Sequence, residues 1–551
     1  MGTLLPQPFR GFRVRSGRTS RAGGCSAAVR RGLATCVLAL AFLGPTQGLE
    51  AQPAPLSGLD EYVEAALLDW EIPGLALAVI QGDSVLYAQG YGATRLGGDE
   101  AVDEHTLFAI ASTTKAMTVA ALAMLVDEGR LGWDDPVSEH LPGFELADPY
   151  VSRELTIRDL LTHRVGVARS DNLWIASPFD RAEILLRARH LPQVESFRKD
   201  YGYNNILYIA AGEVVEAVTG VSWDHYLEGW IFGPLGMARS TTRAGVVETR
   251  ENVAHSHTWV DGEVQAIPRR DYDAIGGAGA AWSSASELAR WVRLHLGEGS
   301  FEGDTLLSPD RMAEMYTPHT PIAIDSVGAR LHPSNHFQAY ALGWRVQDLH
   351  GRRLVHHSGS INYTRTQITL VPDEGIGVVA MANLSSSNLQ LALIHWILDA
   401  LQDRESHDWS SEYLELFHRS REEGERSDAE LAESRLDGVG PSRSPGSYTG
   451  VFQDDLFGRV SIEMEEGGEE WGASESAGGD RSQTDHARSG LVLHYSDEYV
   501  ADLVHWHQDI FRAEWRRPGA GRTFAHFTLD ARGRVNEVRV DGFATFSRVD
   551  P

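Results

Sequence analysis

The sequence predicts an α/β domain followed by a small all-β domain. Strand-like apolar runs lie near both ends of the segment 56–402, at Leu75–Ile80 with Val85–Ala88 and at Gln367–Val371 with Ile376–Met381. Helical periodicity dominates elsewhere in this segment, over Ala116–Val126, Ile206–Val218, Glu287–Leu296 and Leu389–Leu401. This order favours one α/β unit whose sheet is completed by distant parts of the chain.

Turn residues separate the two members of each strand pair. The first pair is joined by Gln81-Gly82-Asp83-Ser84 and the second by Pro372-Asp373-Glu374-Gly375. Apolar runs joined by short turns of this composition are typical of β-hairpins. We therefore expect a hairpin at each end of the domain.

The composition changes after the last predicted helix. Residues 412–446 are first strongly charged and then rich in Ser, Pro and Gly, which is typical of a linker. In the segment 447–551, short strand-like pieces such as Arg459–Met464 and Gly490–His494 alternate with turn residues, and the acidic, Gly-rich run 465–479 is predicted to be a loop. About 100 residues of this kind suit a small β-barrel or sandwich.

Charge and cysteine content exclude several functions. The chain of 551 residues carries a net charge of −28, which is the wrong sign for general electrostatic binding of nucleic acid. Its two cysteines, Cys25 and Cys36, both lie near the N-terminus. Once that segment is removed, disulfides, thiol catalysis and Cys-based metal sites are excluded.

The N-terminal segment 1–51 resembles an export signal. An Arg-rich stretch without acidic residues precedes an apolar run of about 11 residues, Leu33–Leu43, and Gly44-Pro45 follows. That run is too short to span a bilayer, so the alternatives are a signal peptide cleaved after Ala51 and an ordinary first helix. We expect an exported protein, periplasmic or secreted, whose mature chain has no stable membrane span.

Lysine is scarce in this chain. Of 49 basic residues only Lys115 and Lys199 are lysines. A desolvated lysine can lose its proton and act as a base, whereas arginine stays charged. Lys199 stands among charged residues and is expected to be solvated, whereas Lys115 precedes an apolar run that predicts a buried helix ending at a left-handed Gly129.

Ser112 stands three residues before Lys115. Residues three apart share a helix face, so the hydroxyl would lie beside the amine, and a buried amine with a lowered pKa could activate it. The alternative is a helix-capping Ser112 and a lysine that reaches the surface.

Two further motifs carry groups that suit acyl transfer. Tyr203 and Asn205 stand at the start of the helix predicted over 206–218, and His357-Ser358-Gly359-Ser360 precedes the last hairpin. A tyrosine near an ammonium can relay protons, and a Gly-containing strand allows the close backbone approach that an oxyanion hole requires. The alternatives are a core aromatic at Tyr203 and a structural histidine at His357.

The three motifs in this order resemble the serine β-lactamase and penicillin-binding superfamily. Its pattern is Ser-x-x-Lys, then Tyr-x-Asn, then Lys or His-x-Gly. The sequence around the motifs is similar to that of one branch of the superfamily, which contains class C β-lactamases, D,D-carboxypeptidases and esterases. The similarity is clearest at 155–163, Gly276-Gly277 and 371–375. The resemblance covers residues 58–402 and implies an antiparallel sheet flanked by helices, with an all-helical subdomain.

The resemblance implies a role for each motif residue. Ser112 would be the nucleophile, Lys115 its base partner and Tyr203 the proton relay. Asn205 would orient substrate, and His357 would replace the lysine of true β-lactamases. The Gly359-Ser360 stretch would bring the Ser360 backbone beside that of Ser112 to form the oxyanion hole.

Two departures from the family pattern affect this reading. Ser170-Asp171-Asn172 imitates the second motif of class A β-lactamases. We prefer Tyr203 for this role because the sequence around it resembles class C more closely and no Lys-Thr-Gly follows. His357 also lacks the fixed cation that would hold the carboxylate of a penicillin.

The C-terminal unit resembles the lipocalin-like β domain often appended to these hydrolases, which in some relatives covers the active site. The segments that carry this resemblance are Tyr448–Phe452, Gly458–Val460 and Leu503–Trp506.

Other chemistries find little support. The chain has no H-E-x-x-H zinc motif, phosphate-binding loop or G-x-S-x-G elbow, so we expect no metal and no cofactor. The sequence therefore predicts a serine hydrolase that acts through an acyl-enzyme on small esters or D-amino-acid-containing peptides. The alternatives are a β-lactamase or D,D-carboxypeptidase proper, and a penicillin-recognising sensor that is acylated without turnover.

Overall fold

A computed structural model describes residues 54–384, 388–465 and 488–549 of the chain. Its centre is an eight-stranded sheet in which every neighbouring pair is antiparallel. Across the sheet the strands are Ser84–Gly92, Gly74–Gln81, Ile376–Ala382, Thr364–Val371, Arg352–Ile361, Arg345–Leu349, Gln338–Tyr340 and Thr320–Ile322.

The central strands are buried on both faces, which explains their continuous apolar sequence. In Gly74–Gln81, Leu75, Leu77 and Val79 face a core shared with the helices Leu59–Asp69 and Leu389–Leu401. The alternate residues of the same strand contribute to a second core, which includes the helix Thr114–Asp127. The sheet therefore separates two hydrophobic layers.

The region 114–247 is helical, with no strand assigned among these described residues. Of its two longest helices, Thr114–Asp127 is almost wholly buried, and Ile206–Thr219 is buried except near its C-terminal end and at Glu213. Across the described residues the α-helices are Leu59–Asp69, Thr114–Asp127, Val137–His140, Pro149–Glu154, Ile157–Leu161, Arg181–Arg187, Ile206–Thr219, Trp223–Leu227, Gly233–Leu235, Ala244–Val247, Ala285–Leu296, Pro309–Met315, Ser326–Leu331, Leu389–Leu401 and Trp409–Glu433. Three short two-stranded sheets accompany them: Phe108–Ala109 with Trp282–Ser283, Ser256–Val260 with Glu263–Ile267, and Ser300–Phe301 with Asp304–Thr305.

The C-terminal unit is a closed barrel of eight strands, each paired with its neighbours in sequence, and the first pairs with the last. Closure leaves no free sheet edge. Its strands are Gly450–Asp454, Gly458–Met464, Arg488–His494, Val500–His507, Ile510–Trp515, Arg522–Leu529, Val535–Val540 and Thr545–Arg548. The prediction of a small β-barrel or sandwich is thereby resolved as a barrel.

A 25-residue helix, Trp409–Glu433, occupies much of the predicted linker at 412–446. Composition alone assigned this segment no secondary structure. Its N-terminal half packs against the protein, through the buried Trp409, Ser410 and Tyr413 and then through Phe417 and Arg421, and the rest is largely exposed. A polar helix of this kind gains from side-chain pairs four residues apart, such as Glu415 with Arg419.

The α/β class, the antiparallel sheet, its two hairpins and the four long predicted helices are confirmed, with ends shifted by a few residues at most. The predicted signal segment 1–51 and most of the acidic run 465–479 lie outside the described residues. Within the described residues no single helix has the length and apolarity to cross a bilayer; the bent pair Ile206–Thr219 and Trp223–Leu235 reaches that length and apolarity only when its two members are taken together.

Replacing Trp409 with alanine tests how firmly the connecting helix is held. Its indole donates to Asp399 Oδ2 at 2.7 Å and packs 4.9 Å from the ring of His395. We expect Trp409→Ala to lower the free energy of unfolding by about 3–5 kcal/mol, as for other buried large-to-small changes. The measurement is the denaturant or thermal midpoint against the unmodified protein.

Leu431→Ala in the exposed part of the same helix is the matched control. It should leave the midpoint nearly unchanged. Equal effects of the two substitutions would contradict the proposed difference in packing.

Candidate active site

Ser112 and Lys115 lie side by side where a short 3-10 turn, Ala111–Thr113, runs into the buried helix Thr114–Asp127. Lys115 Nζ is 3.1 Å from Ser112 Oγ. The lysine side chain is fully buried, and burial lowers its pKa well below the ordinary value. An unprotonated amine at this distance can accept the proton of the hydroxyl.

The Lys115 amine has two further partners. It donates to Asn205 Oδ1 and to the carbonyl of Ala278, each at 2.7 Å. Asn205 Nδ2 in turn donates to Asp171 Oδ1 at 2.9 Å. The carboxylate of Asp171 partly offsets the effect of burial on the Lys115 pKa, and the guanidinium of Arg169 lowers that pKa further.

Tyr203 completes the group around the nucleophile. Its ring centroid lies 4.8 Å from Lys115 Nζ, and its side chain is close enough to Ser112 for that residue to affect its pKa. Burial raises the pKa of Tyr203, an effect that the nearby Ser112 side chain opposes. The three predicted catalytic residues are therefore in mutual contact.

His357 is buried, with only 2% of its surface exposed, and both ring nitrogens have protein partners. Nε2 lies 2.9 Å from the Tyr340 hydroxyl and Nδ1 lies 2.7 Å from the Ser358 carbonyl. Burial, with the nearby Lys115 and Arg345, lowers its pKa well below the ordinary value, so the ring is neutral. Its ring is 6.4 Å from that of Tyr203, and it does not line the cavity at Ser112.

Gly359 brings the strand Arg352–Ile361 against the turn that carries Ser112. A Cβ atom at this position would lie 2.1 Å from the Ile110 carbonyl oxygen and 3.0 Å from the Ser112 nitrogen. Only glycine permits such an approach without backbone movement. The neighbouring Ser360 lines the cavity together with Ser112.

The cavity above Ser112 has a volume of about 270 Å³, near the lower end of the range for small-molecule sites. It is lined by Ala111, Ser112, Arg169, Asp171, Trp174, Ile175, Asn205, Tyr272, Ile275, Ser360, Ile361, Asn362, Tyr363 and Arg517. The last of these comes from the barrel. The site is thus built by both folded parts of the chain.

Sequence reasoning did not identify several of these residues. Asp171 was set aside as part of a motif that competed with Tyr203, yet both lie in the site. His163, whose ring centroid is 4.2 Å from that of Tyr203, is a second buried neutral histidine. No sequence motif near Arg517 indicates a role in the site. Its place in the cavity is seen only once the barrel is packed against the α/β domain. Lys199, by contrast, is exposed and paired with Asp200, as expected.

Among the residues that the structure describes, no cluster of three or more His, Cys, Asp or Glu side chains is arranged to hold a metal ion. The side chains around Ser112 supply three groups that suit acyl transfer. They provide a hydroxyl nucleophile, an amine of lowered pKa and a phenol.

The family model described as beta-lactamase matches residues 59–402. This covers more than half of the chain, and the chain belongs to that family. The match contains all of the residues from Ser112 to Ser360 discussed above, but not the barrel.

Curated relatives extend the similarity. The unguisins hydrolase ungD of Aspergillus violaceofuscus is 29% identical over 446 residues, covering 75% of this chain and 77% of that protein. Penicillin-binding protein 4 of Amycolatopsis lactamdurans is 28% identical over 336 residues, covering 59% of this chain and 84% of that protein.

Solved structures share the fold. The octameric penicillin-binding protein homologue of Pyrococcus abyssi superposes with a TM-score of 0.57 at 19% identity, covering 89% of this chain and all of that one. SurE covers 91% of this chain and all of its own, with a TM-score of 0.53 at 19% identity. EstCE1, a hydrolase with promiscuous acyltransferase activity, covers 63% of this chain and 98% of its own, with a TM-score of 0.53 at 18% identity.

Gly359→Ala tests the close approach of the strand to the nucleophile. The added methyl would overlap the Ile110 carbonyl, so the backbone beside Ser112 must move. We expect the rate of Ser112 labelling by a fluorophosphonate to fall at least about tenfold, since reacting groups misplaced by about 1 Å lose rates of this order or more. The rate is read by intact mass against time.

Gly143→Ala is the control, because a Cβ atom there meets nothing within 4 Å. It should be labelled at the unmodified rate. Unchanged labelling of Gly359→Ala, in a protein that is folded, would contradict the required close approach.

Proposed function

We propose that this protein is an exported serine hydrolase that acts through an acyl-enzyme on small esters or D-amino-acid-containing peptides and amides. The observation that carries the proposal is the 3.1 Å contact between Ser112 Oγ and the buried Lys115 amine of lowered pKa. Membership of the beta-lactamase family and the relative named as a hydrolase support it. Export is supported by the pattern of residues 1–51.

In the proposed first step Ser112 Oγ attacks the substrate carbonyl while its proton passes to the free Lys115 amine, either directly or through Tyr203, whose phenol takes that proton as it gives up its own. The tetrahedral intermediate then collapses, the bond to the leaving group breaks, and the proton is returned to that group. This leaves the acyl group on Ser112. Water attacks the acyl-enzyme in the second step, with the same two groups moving its proton, and releases the acid.

The negative oxygen of the tetrahedral intermediate needs donors that are already in place. We propose the backbone N–H groups of Ser112 and Ser360, since both residues line the cavity and Gly359 brings their backbones close. Donors fixed before the reaction contribute a large part of the rate enhancement in acyl transfer. Asn205, held by Lys115 and Asp171, would orient the substrate.

The neutral state of His357 favours esters and peptides over penicillins. Its ring nitrogens are bonded to Tyr340 and Ser358, so it offers no cation to a β-lactam carboxylate. Under this proposal hydrolysis of a chromogenic cephalosporin is much slower than that of p-nitrophenyl acetate.

The decisive test compares the unmodified protein with Ser112→Ala. We expect one fluorophosphonate adduct on the unmodified protein and none on the variant, and loss of p-nitrophenyl acetate turnover by at least about 10³-fold, because the nucleophile is removed. Intact mass and absorbance of p-nitrophenolate are the two measurements.

Each other outcome has a definite meaning. Turnover that survives in Ser112→Ala would exclude the mechanism. Labelling without turnover, on esters and on D-alanyl peptides alike, would favour a sensor that is acylated and not regenerated. Rapid cleavage of cephalosporins or D-alanyl-D-alanine would favour a β-lactamase or a D,D-carboxypeptidase.

Asp171→Asn tests the electrostatic control of Lys115. The Asp171 carboxylate raises the pKa of Lys115 against the effect of burial. Its removal should lower that pKa further, so that the free amine persists to lower pH. We therefore expect the acidic limb of the profile of kcat/KM against pH to move to lower pH in Asp171→Asn. Asparagine preserves the shape of the side chain, so the change in charge is what is tested.

Lys199→Gln is the matched control, because the second lysine of the chain is exposed and remote from these contacts. It should leave the profile in place. A shift of the acidic limb of Asp171→Asn to higher pH would contradict Lys115 as the group that titrates.

A further inference from the structure

Arg517 is contributed to the active-site cavity by the barrel. It lies in the turn between the strands Ile510–Trp515 and Arg522–Leu529. The guanidinium Nη2 donates to the Tyr272 hydroxyl at 3.1 Å. Tyr272 in turn donates to Asn362 Oδ1 at 3.0 Å, and all three residues line the same cavity as Ser112.

The turn that carries Arg517 is fixed against the α/β domain. The Tyr363 hydroxyl donates to the Pro518 carbonyl at 2.9 Å. A Cβ atom at Gly519, whose φ is +71°, would lie 2.6 Å from that same hydroxyl. The position of Arg517 over the cavity is therefore set by contacts between its turn and the α/β domain.

Further contacts hold the rest of the barrel in place. Asn172 Nδ2 donates to the Gly542 carbonyl at 2.8 Å, and the Tyr495 hydroxyl donates to the Asn172 carbonyl at 3.2 Å. Arg270 also forms an ion pair with Glu498. The barrel thus docks on the chain segments that surround the cavity.

Arg517 differs from the other charged residues of the cavity in having no ionic partner. Arg169 is paired with Asp171. Arg517 is paired with no carboxylate in the part of the chain that the structure describes, and its Nε is buried without a hydrogen-bond partner there. Its neighbours in the same hairpin, Arg512 and Arg516, both have acidic partners.

The lining consequently carries one uncompensated positive charge. Arg169 and Asp171 cancel, and the Lys115 amine beneath them has a lowered pKa. The protein as a whole is strongly acidic, so this local surplus is not a general feature of its surface. A partly desolvated guanidinium without a counter-ion is suited to bind a carboxylate in forked geometry.

We propose that Arg517 binds a free carboxylate of the substrate, so that the barrel determines substrate specificity. This rests on the proposed function, and it narrows the substrate to esters or peptides with a carboxylate close to the scissile carbonyl. The carboxylate belongs either to the leaving group, as in cleavage of a C-terminal residue, or to the acyl group. Tyr272 and Asn362 act as positioning residues for the guanidinium.

The test uses two matched pairs of substrates. S-acetylthioglycolate and its methyl ester differ by a carboxylate in the leaving group. The mono-4-nitrophenyl ester of adipic acid and its methyl ester differ by a carboxylate in the acyl group. In one of the two pairs we expect the unmodified full-length protein to favour the anionic member by about tenfold or more in kcat/KM, because one charge-assisted hydrogen bond discriminates to about that extent.

Arg517→Gln should remove this preference by lowering kcat/KM for the anionic member at least about tenfold more than for its neutral partner, and Arg517→Lys should restore part of it. Arg522→Gln, an exposed arginine of the adjacent strand, is the control and should behave as the unmodified protein. The preference should also decrease at high salt.

A preference in neither pair, or one that Arg517→Gln leaves intact, would overturn the proposal. So would a variant that loses activity equally on neutral and anionic substrates. A readout that needs no turnover separates this proposal from the proposed function. Hippurate, but not hippuramide, should slow fluorophosphonate labelling of Ser112 in the unmodified protein and not in Arg517→Gln, and equal effects of the two compounds would overturn it.

Discussion

Burial of one lysine beside one serine is the constraint on which the rest of the site depends. The Lys115 amine is in a fully buried position and is held by Ser112, Asn205 and Ala278. Placing an ammonium there would be costly, so its pKa falls and it becomes able to take a proton. The helix Thr114–Asp127 must be apolar on all sides to create this environment.

The groups around the lysine also have to be uncharged, or paired with a group of opposite charge. His163 and His357 are buried close to it, and their lowered pKa values keep them uncharged. The only carboxylate among the cavity-lining residues described is Asp171, and Arg169 pairs with it. The site therefore concentrates polar groups without accumulating charge near the nucleophile. Arg517 is the exception, and it enters from a different part of the chain.

The barrel gives this family member a second wall for its active site. The β-lactamase-like domain carries Ser112, Lys115 and Tyr203, the residues proposed as the nucleophile and the proton-transfer groups. The barrel adds Arg517, in a turn fixed against Tyr363. Under the two proposals above, chemistry and selection of the substrate belong to separate folded units, which would allow one to change without the other.

The sequence by itself determined the elements with strong local patterns. The hairpins, the buried helices, the barrel and the Ser112-to-Lys115 spacing follow from periodicity, turn residues and the rarity of lysine, all of which are properties of neighbouring residues. The helix Trp409–Glu433 was missed because its charged composition carries little apolar pattern. Asp171, His163 and Arg517 could not be assigned to the site because nothing near them in the chain indicates their partners. Only the tertiary structure brings Asp171 to Asn205 and Arg517 to Tyr272, since those contacts depend on how distant segments pack.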